Sequence, residues 1–137
     1  MDNYEIVDMI GEGTYGYVYK AIHKPSNITV AIKKFKDLED EDEHVKKTAL
    51  REIQALNSLK QPNIVRLLEI FRHEGKICLI FEYVDHTVLQ EIDINPEGLP
   101  QDRIRKLMYQ MLKAVKYMHD NNLIHRDIKP ENLLISK

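Results

Sequence analysis

The chain has a single cysteine, so no disulfide can form within it. Cys78 lies in the apolar run Ile77-Cys78-Leu79-Ile80-Phe81, the setting of a small buried hydrophobe rather than of a nucleophile or metal ligand. Long apolar stretches are also lacking: nothing approaches the roughly 20 residues that cross a bilayer, and no membrane span is expected. The opening Met1-Asp2-Asn3-Tyr4 enters a strand pattern at once, without the basic start, apolar stretch and cleavage site of a secretory leader. These absences point to a reducing compartment, cytoplasm or nucleus. Charge of one sign is scarce too, with 20 Lys and Arg against 22 Asp and Glu, a net charge of −2 that gives no basis for a nucleic-acid partner. Internal repeats and low-complexity tracts are absent, and His23, His44, His73, His86 and His119 show no metal-ligand spacing.

What is present suits one modest domain: 137 residues, 43% of them hydrophobic, enough to bury a core. The first third alternates as strands do, over residues 4–10, 17–22 and 29–35, with turns signalled by Gly11 to Gly16 and by Lys24-Pro25-Ser26-Asn27. The acidic run from Asp37 to Glu43 then leads into Val45, Ala49, Ile53 and Leu56, one face of a helix with its acids at the favourable N-terminal end. Strand patterns over 65–71 and 77–83, split by His73-Glu74-Gly75, complete a sheet of five strands with one helix. A lobe boundary is expected near Tyr83 to His86. Beyond the breakers Asn95-Pro96-Glu97-Gly98 and Pro100, the residues Ile104, Leu107, Met108, Met111, Leu112, Val115 and Met118 share one face of a long helix ended by Asn121-Asn122.

Three motifs carry chemistry. Gly11-Glu12-Gly13-Thr14-Tyr15-Gly16-Tyr17-Val18 fits G-x-G-x-x-G-x-V, in which missing Cβ atoms let backbone amides approach phosphate oxygens. A dinucleotide fingerprint is the rival, and Asp37 lies about 20 residues on, where a ribose-binding acid belongs. That fold opens a helix at the third glycine, whereas Tyr17-Val18-Tyr19-Lys20-Ala21-Ile22 is rich in aromatic and β-branched residues and reads as a strand. The glycines therefore join two strands as a flap. Val30-Ala31-Ile32-Lys33 ends the third strand with Lys33 on the opposite face from Ile32, and Glu52 on the helix is its expected counter-charge. His125-Arg126-Asp127-Ile128-Lys129-Pro130-Glu131-Asn132 fits H-R-D-x-x-x-x-N in full. In that loop Asp127 can accept the proton of an incoming hydroxyl, Lys129 can screen a transferring phosphoryl group, and Asn132 can give an oxygen to magnesium.

With these motifs in this order the chain resembles the protein kinase family along its whole length. Within that family it is most similar to the cyclin-dependent kinases and the cyclin-dependent-kinase-like group. The narrower likeness rests on the glycine loop, Ala31-Ile32-Lys33-Lys34-Phe35, residues Lys47 to Ile53, Phe81-Glu82-Tyr83-Val84 and Lys129 to Ile135. The resemblance implies an α+β protein-kinase-like fold. An ATP-binding lobe over residues 1–84 would hold a five-stranded antiparallel sheet and the helix the family calls αC, and residues 85–137 would begin a mainly helical lobe with the catalytic loop. It implies ATP and Mg2+ as cofactors, with Gly11 to Gly16, including Glu12, Thr14 and Tyr15, covering the phosphates. Adenine would bond to the backbone of Glu82 and Val84, between Ile10, Val18 and Ala31 above and Leu134 below, with Phe81 guarding the back pocket. Lys129 within the loop is the pattern of kinases acting on Ser and Thr of protein substrates.

Further expectations follow. A phosphate on Thr14 or Tyr15 would add about −1.5 to −2 charges beside an anionic nucleotide and inhibit. Arg51 and Arg126 would receive a phosphate on an activation loop, since guanidinium groups bind phosphate bidentately. Lys47 to Ile53 departs from the Pro-Ser-Thr-Ala-Ile-Arg-Glu form of several cyclin partners, so an activating partner at this helix is implied without its being a cyclin. The Asp-Phe-Gly site, the Ala-Pro-Glu segment and the substrate-binding helices are not among residues 1–137, and the expectation is a partial catalytic domain inactive by itself. The alternative is a non-catalytic nucleotide-binding or regulatory fragment, against which the retained Lys33, Glu52, Asp127 and Asn132 argue.

Overall fold

The computed structural model describes residues 1–13, 16–36 and 43–136, with side chains for all of these except 43–46, 48, 49 and 52. The chain divides into two units, Met1–Leu59 with Val65–Tyr83, and Lys60–Ile64 with Val84–Lys137.

In the first unit β1 (Tyr4–Gly13), β2 (Gly16–His23) and β3 (Ile28–Phe35) form an antiparallel meander, followed by α1 (Glu43–Ser58), β4 (Leu67–His73) and β5 (Lys76–Glu82). The sheet is five-stranded and antiparallel in the order β1-β2-β3-β5-β4, as the kinase-like fold class requires. Two boundaries differ from the sequence reading. β1 and β2 stay paired through the glycines, down to Gly13 opposite Gly16, because a backbone without side chains obstructs no ladder. β4 and β5 both run up to a tight turn in which Glu74 and Gly75 have φ of 51° and 77°, the positive pair that a two-residue hairpin with the twist of its strands demands.

β5 is the strand apolar on both faces, and it occupies the position between β3 and β4 where both faces are covered. Its Cys78 and Ile80 join Ala21, Val30 and Ile32 in one fully packed cluster, over which Met1, Tyr4, Tyr19 and Phe71 lie. Burial pushes the Cys78 thiol up, in keeping with a structural cysteine. On the other face Phe35 and Leu79 pack on Ile53 of α1, with Leu56, Leu67, Ile77 and Phe81 around them. The period-2 alternation of β3 thus sends Val30 and Ile32 one way and Ala31, Lys33 and Phe35 the other.

Tyr4 joins the two edge strands. From β1 its ring lies parallel to that of Phe71 on β4, with centroids 5.9 Å apart, and its hydroxyl donates to Glu69 Oε2 at 2.7 Å. Burial first, then the bond to Glu69 and its charge, raise the phenol from its ordinary value near 10 to about 12. The neutral phenol is therefore the form the fold favours. Its contribution is complete below about pH 10 and declines as pH rises toward 12, because the unfolded chain ionises first. Tyr4→Phe should cost about 1 kcal/mol at neutral pH. In urea melts of parent and variant, that gap should narrow above pH 10; a gap constant with pH would remove the hydrogen bond as its cause.

In the second unit β6 (His86–Thr87) pairs antiparallel with β7 (Leu134–Ile135), and between them lie α2 (Val88–Asp93), α3 (Gln101–Asp120) and a 3-10 turn over Pro130–Asn132. Thr87 starts α2 with a reciprocal cap: its hydroxyl accepts from the Gln90 N–H, and the Gln90 side chain accepts from the Thr87 N–H. Arg103 of α3 grips Glu91 of α2 through Nε and Nη2 of its guanidinium, at 2.6 and 2.7 Å, and this pairing holds the Glu91 carboxyl below the usual range. α3 stops where expected, at Asn121, with Asn122 at φ 59° and the Leu123 N–H returning to the Met118 carbonyl. Its Ile104, Met108 and Leu112 are exposed in this chain. Among the described residues no helix is long and apolar enough to cross a membrane.

Candidate functional site

Strand register gathers one group of the expected residues. Val18 stands opposite Lys33, Lys33 opposite Leu79, and Ala31 opposite Phe81. Directly paired residues share a face. Gly11, opposite Val18, continues the series, so Gly11, Val18, Ala31, Lys33 and Phe81 lie on the face of the sheet that packs on α1. Lys33 Nζ lies 5.1 Å from the centre of the Phe35 ring. Its expected partner Glu52 is on α1, but the Glu52 side chain lies outside the described residues, as do Thr14 and Tyr15. Ile10 is exposed on β1. Glu12 pairs with Lys36 at 3.6 Å, two exposed groups whose pairing adds little to stability.

The three glycines are not equivalent. A Cβ on Gly13 would meet nothing within 4 Å, and one on Gly11 would make ordinary contact with Val18 at 3.7 and 3.8 Å. A Cβ on Gly16 would land on the Lys34 carbonyl oxygen. The fold itself needs only Gly16 bare. At Gly11 and Gly13 the missing side chains instead leave open backbone, which is what close approach by a phosphate requires.

At the end of β5 the Glu82 N–H donates to the Arg66 carbonyl at 3.0 Å, and the Glu82 carboxylate accepts the Arg66 N–H at 2.7 Å. A backbone contact from Glu82 to a base is thereby limited to its carbonyl oxygen.

The loop residues of the second unit are held by its small sheet. The Val88 N–H donates to the Leu133 carbonyl at 2.8 Å, and β6 and β7 pair beside it, so the chain leaving the loop is anchored to the start of α2. Leu134 is exposed on β7 and Val84 half-buried. Within the loop the Asn132 amide nitrogen donates both to the Asp127 carbonyl, at 2.9 Å, and to Asp127 Oδ2, at 2.8 Å. Lys129 Nζ stands 3.5 Å from Asp127 Oδ1. Asp127, Lys129 and Asn132 are therefore one cluster, built on the 3-10 turn that brings Asn132 back over Asp127. The carboxylate keeps an exposed oxygen edge, as a group that receives a proton from an incoming molecule must.

The protein kinase domain family matches residues 4–137. The chain belongs to that family. It is 51% identical over 136 residues to cyclin-dependent kinase-like 5 of Mus musculus, covering 99% of this chain and 14% of the relative. It is 50% identical over 137 residues to cyclin-dependent kinase-like 4 of Mus musculus, covering 100% and 40%. To cyclin-dependent kinase-like 1 of Caenorhabditis elegans it is 47% identical over 137 residues, covering 100% and 38%. The kinase domain described here thus spans well under half the length of these relatives.

Three more residues of this kinase domain bear on the sequence reading. Arg126, at φ 68°, and Arg51, on α1, are both exposed, and neither has an ion pair among the described residues. In the sequence His125 is only the first letter of its motif, yet its Nδ1 accepts the Asp127 N–H at 3.2 Å. Three-letter spacing carries no sign of such a contact, which depends on the left-handed turn at Arg126.

Proposed function

We propose that the protein is a serine/threonine protein kinase, transferring the γ-phosphoryl group of ATP to a hydroxyl of a protein substrate. The observation that carries the reading is the clamped Asp127 carboxylate, tied by Asn132 through backbone and side chain and flanked by Lys129.

In the reaction the substrate oxygen forms a bond to the γ-phosphorus while the bond from that phosphorus to the β-bridging oxygen breaks, and ADP leaves. Asp127 orients the hydroxyl and takes its proton. Lys129 offsets negative charge on the phosphoryl oxygens as they pass, and Lys33 holds the phosphates, with Glu52 of α1 its proposed counter-charge. These groups position and stabilise charge, which is most of what phosphoryl transfer needs. Asn132 suits a magnesium site, because its nitrogen is committed to Asp127 while its carbonyl oxygen, the hard donor that Mg2+ takes, remains for a metal. Bound there, Mg2+ would supply charge neutralisation at the phosphates. Gly11 and Gly13 present open backbone for the same phosphates, and the exposed residues Lys47, Leu50 and Arg51 of α1 form the surface for an activating protein.

Lys33→Met tests the phosphate role. Methionine keeps an unbranched apolar stem but carries no charge, so phosphate transfer to a Ser/Thr peptide should fall by about 100-fold or more with the melting temperature little changed. Turnover near the parent's would sink the assignment.

A further inference from the structure

Two rows of paired strand residues lie on the face of the first unit's sheet turned away from α1. Tyr4 stands opposite His23 and His23 opposite Ile28, and Ile80 stands opposite Glu69. Directly opposed residues share a face, here that of the Val30 and Ile80 cluster, while Phe35 and Leu79 lie on the other. These rows line a cavity of about 200 Å³, with Val30 and Ile80, 3% and 0% exposed, as its floor. Ile28 and Leu68 line it too and are 57% and 42% exposed, Leu68 falling at the irregularity of β4 between Leu67 and Glu69. Glu69 is the one lining residue with a permanent charge. Among the described residues its carboxylate has no ion pair and takes a single hydrogen bond, from the Tyr4 hydroxyl to Oε2 at 2.7 Å, which leaves Oε1. A phenol that stays neutral to about pH 12 gives that carboxylate a bond but no counter-charge. His23 and Ser26, also at the cavity, are bonded to each other, Nδ1 with Oγ at 2.6 Å.

We infer that this cavity is a docking site for an arginine side chain of a partner protein. An arginine needs apolar cover for its alkyl stem and a carboxylate for its head, and Val30, Ile80 and Glu69 bring the two together. A guanidinium also lies well against aromatic rings, and those of Tyr4 and His23 line the same cavity. An acidic or phosphorylated segment would be repelled by Glu69. A wholly apolar side chain would desolvate that carboxylate and give it nothing in return. Ile28 and Leu68 suit the same occupant, since the partner surface around the arginine would cover them. The site is on the face opposite Lys33, so a docked partner leaves free the groups proposed to meet the nucleotide and does not compete with ATP.

The test uses the full chain with 13C-labelled isoleucine and valine methyl groups and two probes. One is N-acetyl-arginine methylamide; the other is its citrulline counterpart, of the same length but with a neutral urea end. The arginine probe should shift the methyl signals of Ile28, Val30 and Ile80 saturably at concentrations on the order of 1 mM, the weak affinity of so small a ligand. Ile53, which packs on the other face, should stay in place. The citrulline probe should bind about tenfold more weakly, and Glu69→Gln should erase the difference between the two. Glutamine can still accept from the Tyr4 hydroxyl, so the free variant should keep the parent's melting temperature and methyl spectrum. Equal affinity of the parent for both probes, a preference for arginine that survives Glu69→Gln, shifts that include Ile53, or no shift at about 50 mM probe would each overturn the proposal. No step of the test depends on turnover, so its failure would leave the kinase reading standing.

Discussion

Asp127→Asn should lower kcat for peptide phosphorylation by about 100- to 10,000-fold, the range that removing a positioned general base produces. Asparagine has the shape of aspartate and fits the same space. Its oxygen can still accept from Asn132, in place of the Oδ2 that now does so at 2.8 Å. The amide nitrogen then falls where Oδ1 stands, beside the Lys129 ammonium 3.5 Å away, and donor faces donor. The variant therefore has no base for the hydroxyl proton and leaves Lys129 without its nearby carboxylate. Because the loop is exposed, the cost in stability should stay within about 0.5 kcal/mol. ATP affinity, read by titration of a fluorescent nucleotide, should barely change, since the proposed phosphate contacts are with other residues. A kcat within tenfold of the parent's would show that the proton leaves by another route.

The sequence reading reached the first unit best where periodicity and turn chemistry agree. Alternation in β1 to β3, with glycines and Lys24-Pro25-Ser26-Asn27 between them, leaves little choice of local structure, and the meander is observed. α1 and α3 carry long apolar stripes and lie where expected. The order β3-β5-β4 is a different matter, because it depends on which face of each strand finds cover. The run Ile77 to Phe81 contains that information, being apolar on both sides, as only a central strand can afford. The six residues of α2 are too few for a helical period, and only the Thr87 and Gln90 spacing marks its start. Tyr4 and Glu69 are 65 residues apart in the chain, and no local pattern joins them.

For the site, the motif H-R-D-x-x-x-x-N brings Asp127, Lys129 and Asn132 together as the spacing suggests, through the 3-10 turn at Pro130–Asn132. Spacing says nothing of direction, however. That the Asn132 nitrogen faces Asp127 and so frees its oxygen, or that Asp127 leans on His125, follows from hydrogen-bond chemistry in three dimensions. The glycine motif has the same limit: three identical letters stand at positions with three different surroundings.

Those surroundings give the second large effect. Gly16→Ala should destabilise the first unit by about 1 to 3 kcal/mol or more, the cost of forcing added atoms into a packed interior, whereas Gly13→Ala should stay within about 0.5 kcal/mol. Gly16 is paired with Phe35, and its Cβ would fall on the Lys34 carbonyl oxygen and lie 3.0 Å from Phe35 Cα and 3.1 Å from the Lys34 carbonyl carbon. All three are backbone atoms, with no flexible side-chain end to swing aside. Phe35 is 1% exposed and packed against Leu79 and Ile53, so β3 cannot retreat without opening that cluster. β2 must move away from β3 instead, and the pairs nearest the glycines, Gly16 with Phe35 and Tyr17 with Lys34, break first. Gly13 has open space where a Cβ would stand, and alanine there also restricts the unfolded chain, which offsets part of any loss. The two variants should separate by assay: Gly16→Ala lowers the urea midpoint with or without nucleotide, while Gly13→Ala keeps the midpoint and raises the KM for ATP, because its methyl stands where a phosphate would approach. Equal midpoints for the two would mean that β2 and β3 part more easily than their packing indicates, and that the third glycine, like the second, is kept for the ligand and not for the fold.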